Sequence, residues 1–190
     1  MPADKSSHKC LRICLGVSAL FTIILATVIL TLVLTVFKPK DPHITVHLVG
    51  LEKLQIITPT PNSTETLDVD ITIENPNYEA FRYKNSTAYI KFHDKDVAHV
   101  HLETKFVQAR SQIYMRASAN FHPAKLTADP NFWADIGNGT LNLTSTAALP
   151  GKVVMFKVIK LKGTVYNWCN FSINVSSMVA ESQCISKIKI

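Results

Sequence analysis

The sequence predicts a mainly β protein, with one N-terminal membrane-crossing helix followed by an antiparallel β-sandwich carrying one short helix. Three observations carry that prediction. Residues Ile13 to Phe37 run for 25 residues without a charged side chain. After them, short alternations of apolar and polar residues recur between turn signals with no long amphipathic helix between them, the pattern of a sandwich and not of an α/β fold. The composition, 47% apolar and 18% charged, is that of a chain that folds.

The apolar run comes first. At about 1.5 Å of rise per residue it spans a hydrocarbon layer of about 30 Å with some tilt. A removable signal peptide has an apolar region of about 7–15 residues ending at small residues. Here Phe37-Lys38-Pro39-Lys40 follows the run, so a retained signal anchor is expected. The flanking charges, Lys5, Lys9 and Arg12 before the span against Lys38 and Lys40 after it, bias orientation only slightly.

Asparagines and cysteines decide the orientation. Six N-x-[ST] sequons, at Asn62, Asn85, Asn138, Asn142, Asn170 and Asn174, all follow the span, and a sequon matters only in a secreted segment. Between Asn170 and Ser176 the asparagines alternate with Phe171, Ile173 and Val175, so the apolar residues face a core while both asparagines face solvent. Thr140 to Thr144 repeats the arrangement, although an ordinary polar strand face gives the same pattern at any single site. Cys169 and Cys184 have no C-x-x-C spacing. In an oxidising compartment they would close a loop of 14 intervening residues, worth on the order of 3 kcal/mol. Cys10 and Cys14 lie at the mouth of the span on one helix face, as candidates for S-palmitoylation or as unmodified thiols. The expected order is therefore a cytosolic tail over 1–12, a transmembrane helix over 13–37, a tether over 38–42 and an extracellular domain over 43–190.

Within that domain the alternation predicts strands at His43–Leu48, Leu67–Glu74, Ala88–Phe92, Val97–Leu102, Thr104–Ala119, Leu141–Ala147, Val153–Val165 and Cys169–Val175. Thr58 to Thr64 reads as a Pro- and Thr-rich loop. One helix is expected, with Asp129 as N-cap, Pro130 at the first position and Gly137 as terminator. Phe132, Trp133 and Ile136 are expected to pin it to the sandwich. Asn75-Pro76-Asn77 is expected to end the second strand in a turn, since proline fixes φ and asparagine tolerates the next turn position.

Taken in order, the basic N-terminus with cysteines, the anchor, Phe37-Lys38-Pro39-Lys40-Asp41-Pro42, Asn75-Pro76-Asn77, the Asp129–Gly139 region and Cys169…Cys184 resemble the plant late-embryogenesis-abundant group 2 family. The likeness is to its membrane-anchored, harpin-induced-like branch, named for the water stress and hypersensitive response domain. That resemblance implies an Ig/fibronectin-III-like β-sandwich with one short helix, a plasma-membrane location, roles in pathogen defence and abiotic stress, and no established enzymatic activity. Many members carry a longer, Pro-rich cytosolic tail than the dozen residues here, which puts signalling through the tail in doubt.

The residues themselves supply little catalytic chemistry. No G-x-G-x-x-G, G-x-x-x-x-G-K or G-x-S-x-G motif is present. His99 and His101 alternate on one strand, with His93, His43 and His47 elsewhere, but no acid or cysteine stands at metal-ligand spacing, and exposed strand histidines are the plainer reading. No cofactor or metal is expected. Charge says more: the formal total is +6, and beyond residue 135 Lys152, Lys157, Lys160, Lys162, Lys187 and Lys189 are set against Glu181 alone. Such a patch attracts polyanions, or it is a lysine-bearing edge that resists aggregation. The leading expectation is a non-enzymatic single-pass plasma-membrane protein whose outer sandwich contacts wall, membrane or protein partners in defence or stress. The other is a lipid- or small-ligand-binding module held close to the bilayer. Expected partners are the bilayer, cell-wall polysaccharide and other membrane proteins, not nucleic acid.

Overall fold

A computed structural model describes residues 4–35, 38–51, 64–155 and 159–190. It divides into two units, residues 1–38 and 39–190.

The first unit is the helix α1, Asp4–Thr35. It begins inside the segment expected to be a separate tail. Its stretch Arg12–Leu32 has a mean hydropathy of 2.7 and no buried part, so it is long and apolar enough to cross a bilayer as an anchor or to act as a signal. The threonines do not interrupt it, because their hydroxyls bond back one turn. Thr22 donates to the Ser18 carbonyl at 2.8 Å and Thr35 to the Thr31 carbonyl at 2.7 Å, so these hydroxyls are satisfied within the helix.

The second unit is mainly β, as expected: an antiparallel sandwich curled close to a barrel. Its strands are β1 (His43–Val49), β2 (Glu65–Asn75), β3 (Ala80–Tyr83), β4 (Ser86–Phe92), β5 (Lys95–Leu102), β6 (Lys105–Val107), β7 (Ser111–Phe121), β8 (Thr140–Met155), β9 (Ile159–Asn174) and β10 (Val179–Lys189). Ladders join them in the order β10-β9-β8-β4-β5-β7-β2-β1. β1 then lies beside β10, where the Asp41 carboxylate accepts from the Ile188 amide at 2.8 Å. The free edge of β8 beyond β4 is taken by β3, which carries β6 on its far side.

Alternation explains the core. In β2, Leu67, Val69, Ile71 and Ile73 are buried while Asp68 and Glu74 are exposed. Phe92, Tyr83 and Phe171 fill the space between the layers. Burying each such side chain is worth about 1.5–3 kcal/mol. The β4–β5 hairpin turns through His93 and Asp94, both at positive φ, the backbone a two-residue hairpin needs.

Several expected boundaries are corrected. Thr104–Ala119 is two strands, broken at Arg110, whose φ of 52° admits a turn without glycine. Leu141–Ala147 and the first part of Val153–Val165 form the continuous β8, and the rest of that segment joins Cys169–Asn174 in β9. Leu149-Pro150-Gly151 therefore runs through the strand. At Gly151 an added Cβ would lie 2.9 Å from the Tyr83 Cα and press on the Arg82 carbonyl, so glycine is what lets β3 pair here. β3 and β10 are additional strands. Two helices precede β8 instead of one: α2 (Pro123–Thr127), which packs on β5, and α3 (Pro130–Gly137), which packs on β8. Asp129 caps α3 as expected, accepting from the Asn131 amide at 3.0 Å. Lys95, at 2.9 Å, holds its carboxyl below the usual carboxylate range, helped by the Asn131 amide. Gly137 stays helical, and Gly139, at φ 80°, supplies the left-handed residue. Phe132 is fully buried and Ile136 packs on the core, but Trp133 is 53% exposed and meets the Phe132 ring edge-on.

Candidate functional site

Two features stand out on the β unit: a polar joint at Asn75-Pro76-Asn77 and a basic groove over β3, β8 and β9.

Asn75 is the last residue of β2 and is 4% exposed. Its amide donates to the Glu79 carbonyl at 2.7 Å and the Gln108 carbonyl at 3.0 Å. Its oxygen accepts from the Asn77 backbone and side-chain nitrogens, each at 3.1 Å. Asn77 then pairs with the tether as a strand would. Its amide donates to the Lys40 carbonyl at 2.7 Å and its oxygen accepts from the Lys40 amide at 2.6 Å. Carboxamides suit this place because one side chain both donates and accepts. The expected turn is present, and the motif also stitches β2, β3, the β6–β7 turn and the tether together.

The groove is built by register. Across β6, β3, β8 and β9, Phe106, Arg82, Lys152 and Lys162 are successive Cα partners, and all four side chains are exposed. At a strand spacing of about 4.8 Å the three cations form a row about 10 Å long. The groove itself, about 350 Å³, is lined by Arg82, Lys84, Lys152 and Lys160, with Phe106 and Val154 as its apolar part. No carboxylate lines it. Among the described residues none of Arg82, Lys84, Lys152, Lys160 or Lys162 forms an ion pair. Arg82 instead lies over the Phe106 ring, 5.2 Å from its centroid. Beneath the row, burial pushes the Tyr83 phenol up to about 12, with Glu103 adding to the shift. Like charges directly opposite one another across a sheet are destabilising, so the row is not explained by folding.

Sequence reading found three members of this cluster, Lys152, Lys160 and Lys162, and missed Arg82, Lys84 and Phe106. Lys187 and Lys189 lie on β10, and Lys157 lies outside the described residues. Lys160 and Lys162 precede Thr164, where the β10 ladder starts, so they occupy an edge as the aggregation-resisting alternative required. The arginine is invisible without β3, whose four residues give too short an alternation to recognise.

Asn85, Asn138, Asn142, Asn170 and Asn174 are exposed. Asn142, Asn170 and Asn174 share the outer face of β8 and β9, opposite buried Phe171 and Ile173. Asn62 lies outside the described residues. Cys169 and Cys184 face each other in the β9–β10 ladder, with Cα atoms 4.1 Å apart, and form a disulfide. Cys14 is a free, exposed thiol on α1, while the Cys10 side chain lies outside the described residues. Among the described residues no group of three His, Cys, Asp or Glu side chains is placed to hold a metal. A cavity of about 40 Å³ lies between the layers, bordered by Ile71, Ile90, Val100 and Phe171 with Ser145 and Asn167.

No family model and no curated protein matches the chain. Among solved structures it is similar to a protein from Archaeoglobus fulgidus, with 10% identity and a TM-score of 0.36, over 80% of this chain and 99% of that one. That degree of likeness carries no functional argument. The class defined by the chain itself is a β-sandwich domain behind an N-terminal apolar helix.

Proposed function

We propose that this is a non-enzymatic, single-pass plasma-membrane protein that displays its β-sandwich outside the cell and acts in plant defence or abiotic stress by binding. The observation that carries the reading is the basic groove, which no carboxylate lines among the described residues. The helix, the five exposed sequons and the Cys169–Cys184 bridge support an anchored domain in an oxidising compartment. The plant family and its defence and stress roles rest on the sequence resemblance alone.

The lipid-binding alternative is weaker. A cavity of about 40 Å³ holds about one water, whereas ligand pockets run to about 300–1,000 Å³. The test is genetic. Plants lacking the protein should show altered pathogen growth or stress tolerance, restored by the intact chain and not by a chain whose groove lysines are replaced with glutamate. No phenotype on loss, or full rescue by the groove variant, overturns the reading.

A further inference from the structure

We propose that the groove over β3, β8 and β9, lined by Arg82, Lys84, Lys152 and Lys160 with Lys162 beside it as the register partner of Lys152, is a binding site for a linear acidic polysaccharide whose carboxylates these cations take. This rests on the function proposed above and names its ligand. Three features of the groove select that class. First, the site is concave, so it admits a chain, whereas a flat bilayer surface cannot enter it. Second, the cations are single charges in a line perpendicular to the strands, repeating at about 4.8 Å. A linear uronate chain laid across the strands offers one carboxylate per sugar ring along that line. Third, the row is amphipathic. Phe106, 41% exposed, gives apolar contact for sugar faces, while the Arg82 guanidinium, already fixed over Phe106, presents a planar fork suited to a carboxylate.

Bound carboxylates would also relieve the repulsion between Arg82, Lys152 and Lys162, which are register partners without an acid among them. Ligand binding and folding therefore make opposite demands on position 152. Lys152→Glu places an acid between two cations, so it removes the central contact while improving the cross-strand pairing.

The test uses the full-length protein in nanodiscs of phosphatidylcholine, with unesterified polygalacturonate immobilised on a sensor surface. Binding is expected to weaken steeply between about 50 mM and about 300 mM salt. It should be absent with fully methyl-esterified polymer, and at least about tenfold weaker for Lys152→Glu/Lys162→Glu. The single variant Lys152→Glu should lose affinity while melting no lower than wild type, which separates lost contact from lost fold. Equal binding by the double variant, or equal binding to the esterified polymer, overturns the proposal. So does preferential binding to protein-free phosphatidylglycerol vesicles, which would make the partner a membrane. Purified protein reports groove chemistry whichever side of the membrane the domain occupies, so failure here leaves sidedness untouched. Sidedness fails separately, in protease protection on intact cells.

Discussion

Replacing Asn75 with alanine tests the polar joint most sharply. The substitution removes four hydrogen bonds at a residue only 4% exposed, two donated to the Glu79 and Gln108 carbonyls and two accepted from Asn77. Each bond is worth about 0.5–1.5 kcal/mol net, and a buried group left unpaired costs about 1–3 kcal/mol. Gln108 is exposed and regains water, so the main losses are at Glu79 and Asn77, both buried. The expected total is about 3 kcal/mol. For a domain of this size that lowers Tm by roughly 6–12 °C, read by circular dichroism on the oxidised protein. Asn77→Ala should cost less, about 1 kcal/mol, because the Lys40 groups it releases are exposed and find water. Asn75→Asp should show a deficit that shrinks on acidification. The ionised carboxylate faces two carbonyls with nothing to donate, and protonation restores one donor. A drop of less than about 2 °C for Asn75→Ala, or the opposite order of the two alanine variants, would mean that this joint does not hold the fold.

Further outcomes follow from other parts of the domain. Gly151→Ala should be strongly destabilising, because its Cβ meets the β3 backbone at the Arg82 carbonyl and the Tyr83 Cα as well as the Phe81 ring, and the backbone cannot move aside as a side chain could. A melting temperature equal to wild type would contradict that packing. Replacing Cys169 and Cys184 together with serine should cost on the order of 3 kcal/mol, lowering Tm by several degrees. Unchanged melting would mean the bridge adds nothing to the ladder. Tyr83 is held neutral by burial, its folded value of about 12 lying above the ordinary 10. Its contribution is complete below pH 10 and is lost as pH rises toward 12, because the unfolded chain gives up the proton first. Tyr83→Phe should therefore flatten the alkaline fall of Tm, and parallel curves for the two proteins would count against it.

Much of the architecture was legible where burial and side-chain chemistry agree. Leu67 to Glu74 and Asn170 to Asn174 alternate cleanly because their inner faces are apolar, and the structure buries those faces. β10 was not legible for the converse reason. Its half-buried positions include Ser182, Cys184 and Ser186, while Val179 and Ile185 are exposed, so hydrophobicity and burial are out of phase. The break at Arg110 carried no glycine or proline. Leu149-Pro150-Gly151 carried both and yet continues a strand, with Pro150 instead accepting at its carbonyl from the Lys84 amide at 2.9 Å. The joint at Asn75-Pro76-Asn77 was recognisable as a turn, but its hold on Lys40 is a long-range contact that spacing does not encode. The groove was legible only as a surplus of lysine; the row itself exists through the pairing of β3 with β8.

The proposed role requires the sandwich to lie on the outer side of a membrane. Glycosidase-shift analysis combined with protease treatment of intact cells addresses that directly. The predicted result is a domain that shifts with glycosidase, loses the shift as the exposed sequons are replaced, and is cleaved from outside. A domain that carries no glycan, keeps free thiols at Cys169 and Cys184 and resists external protease would contradict it.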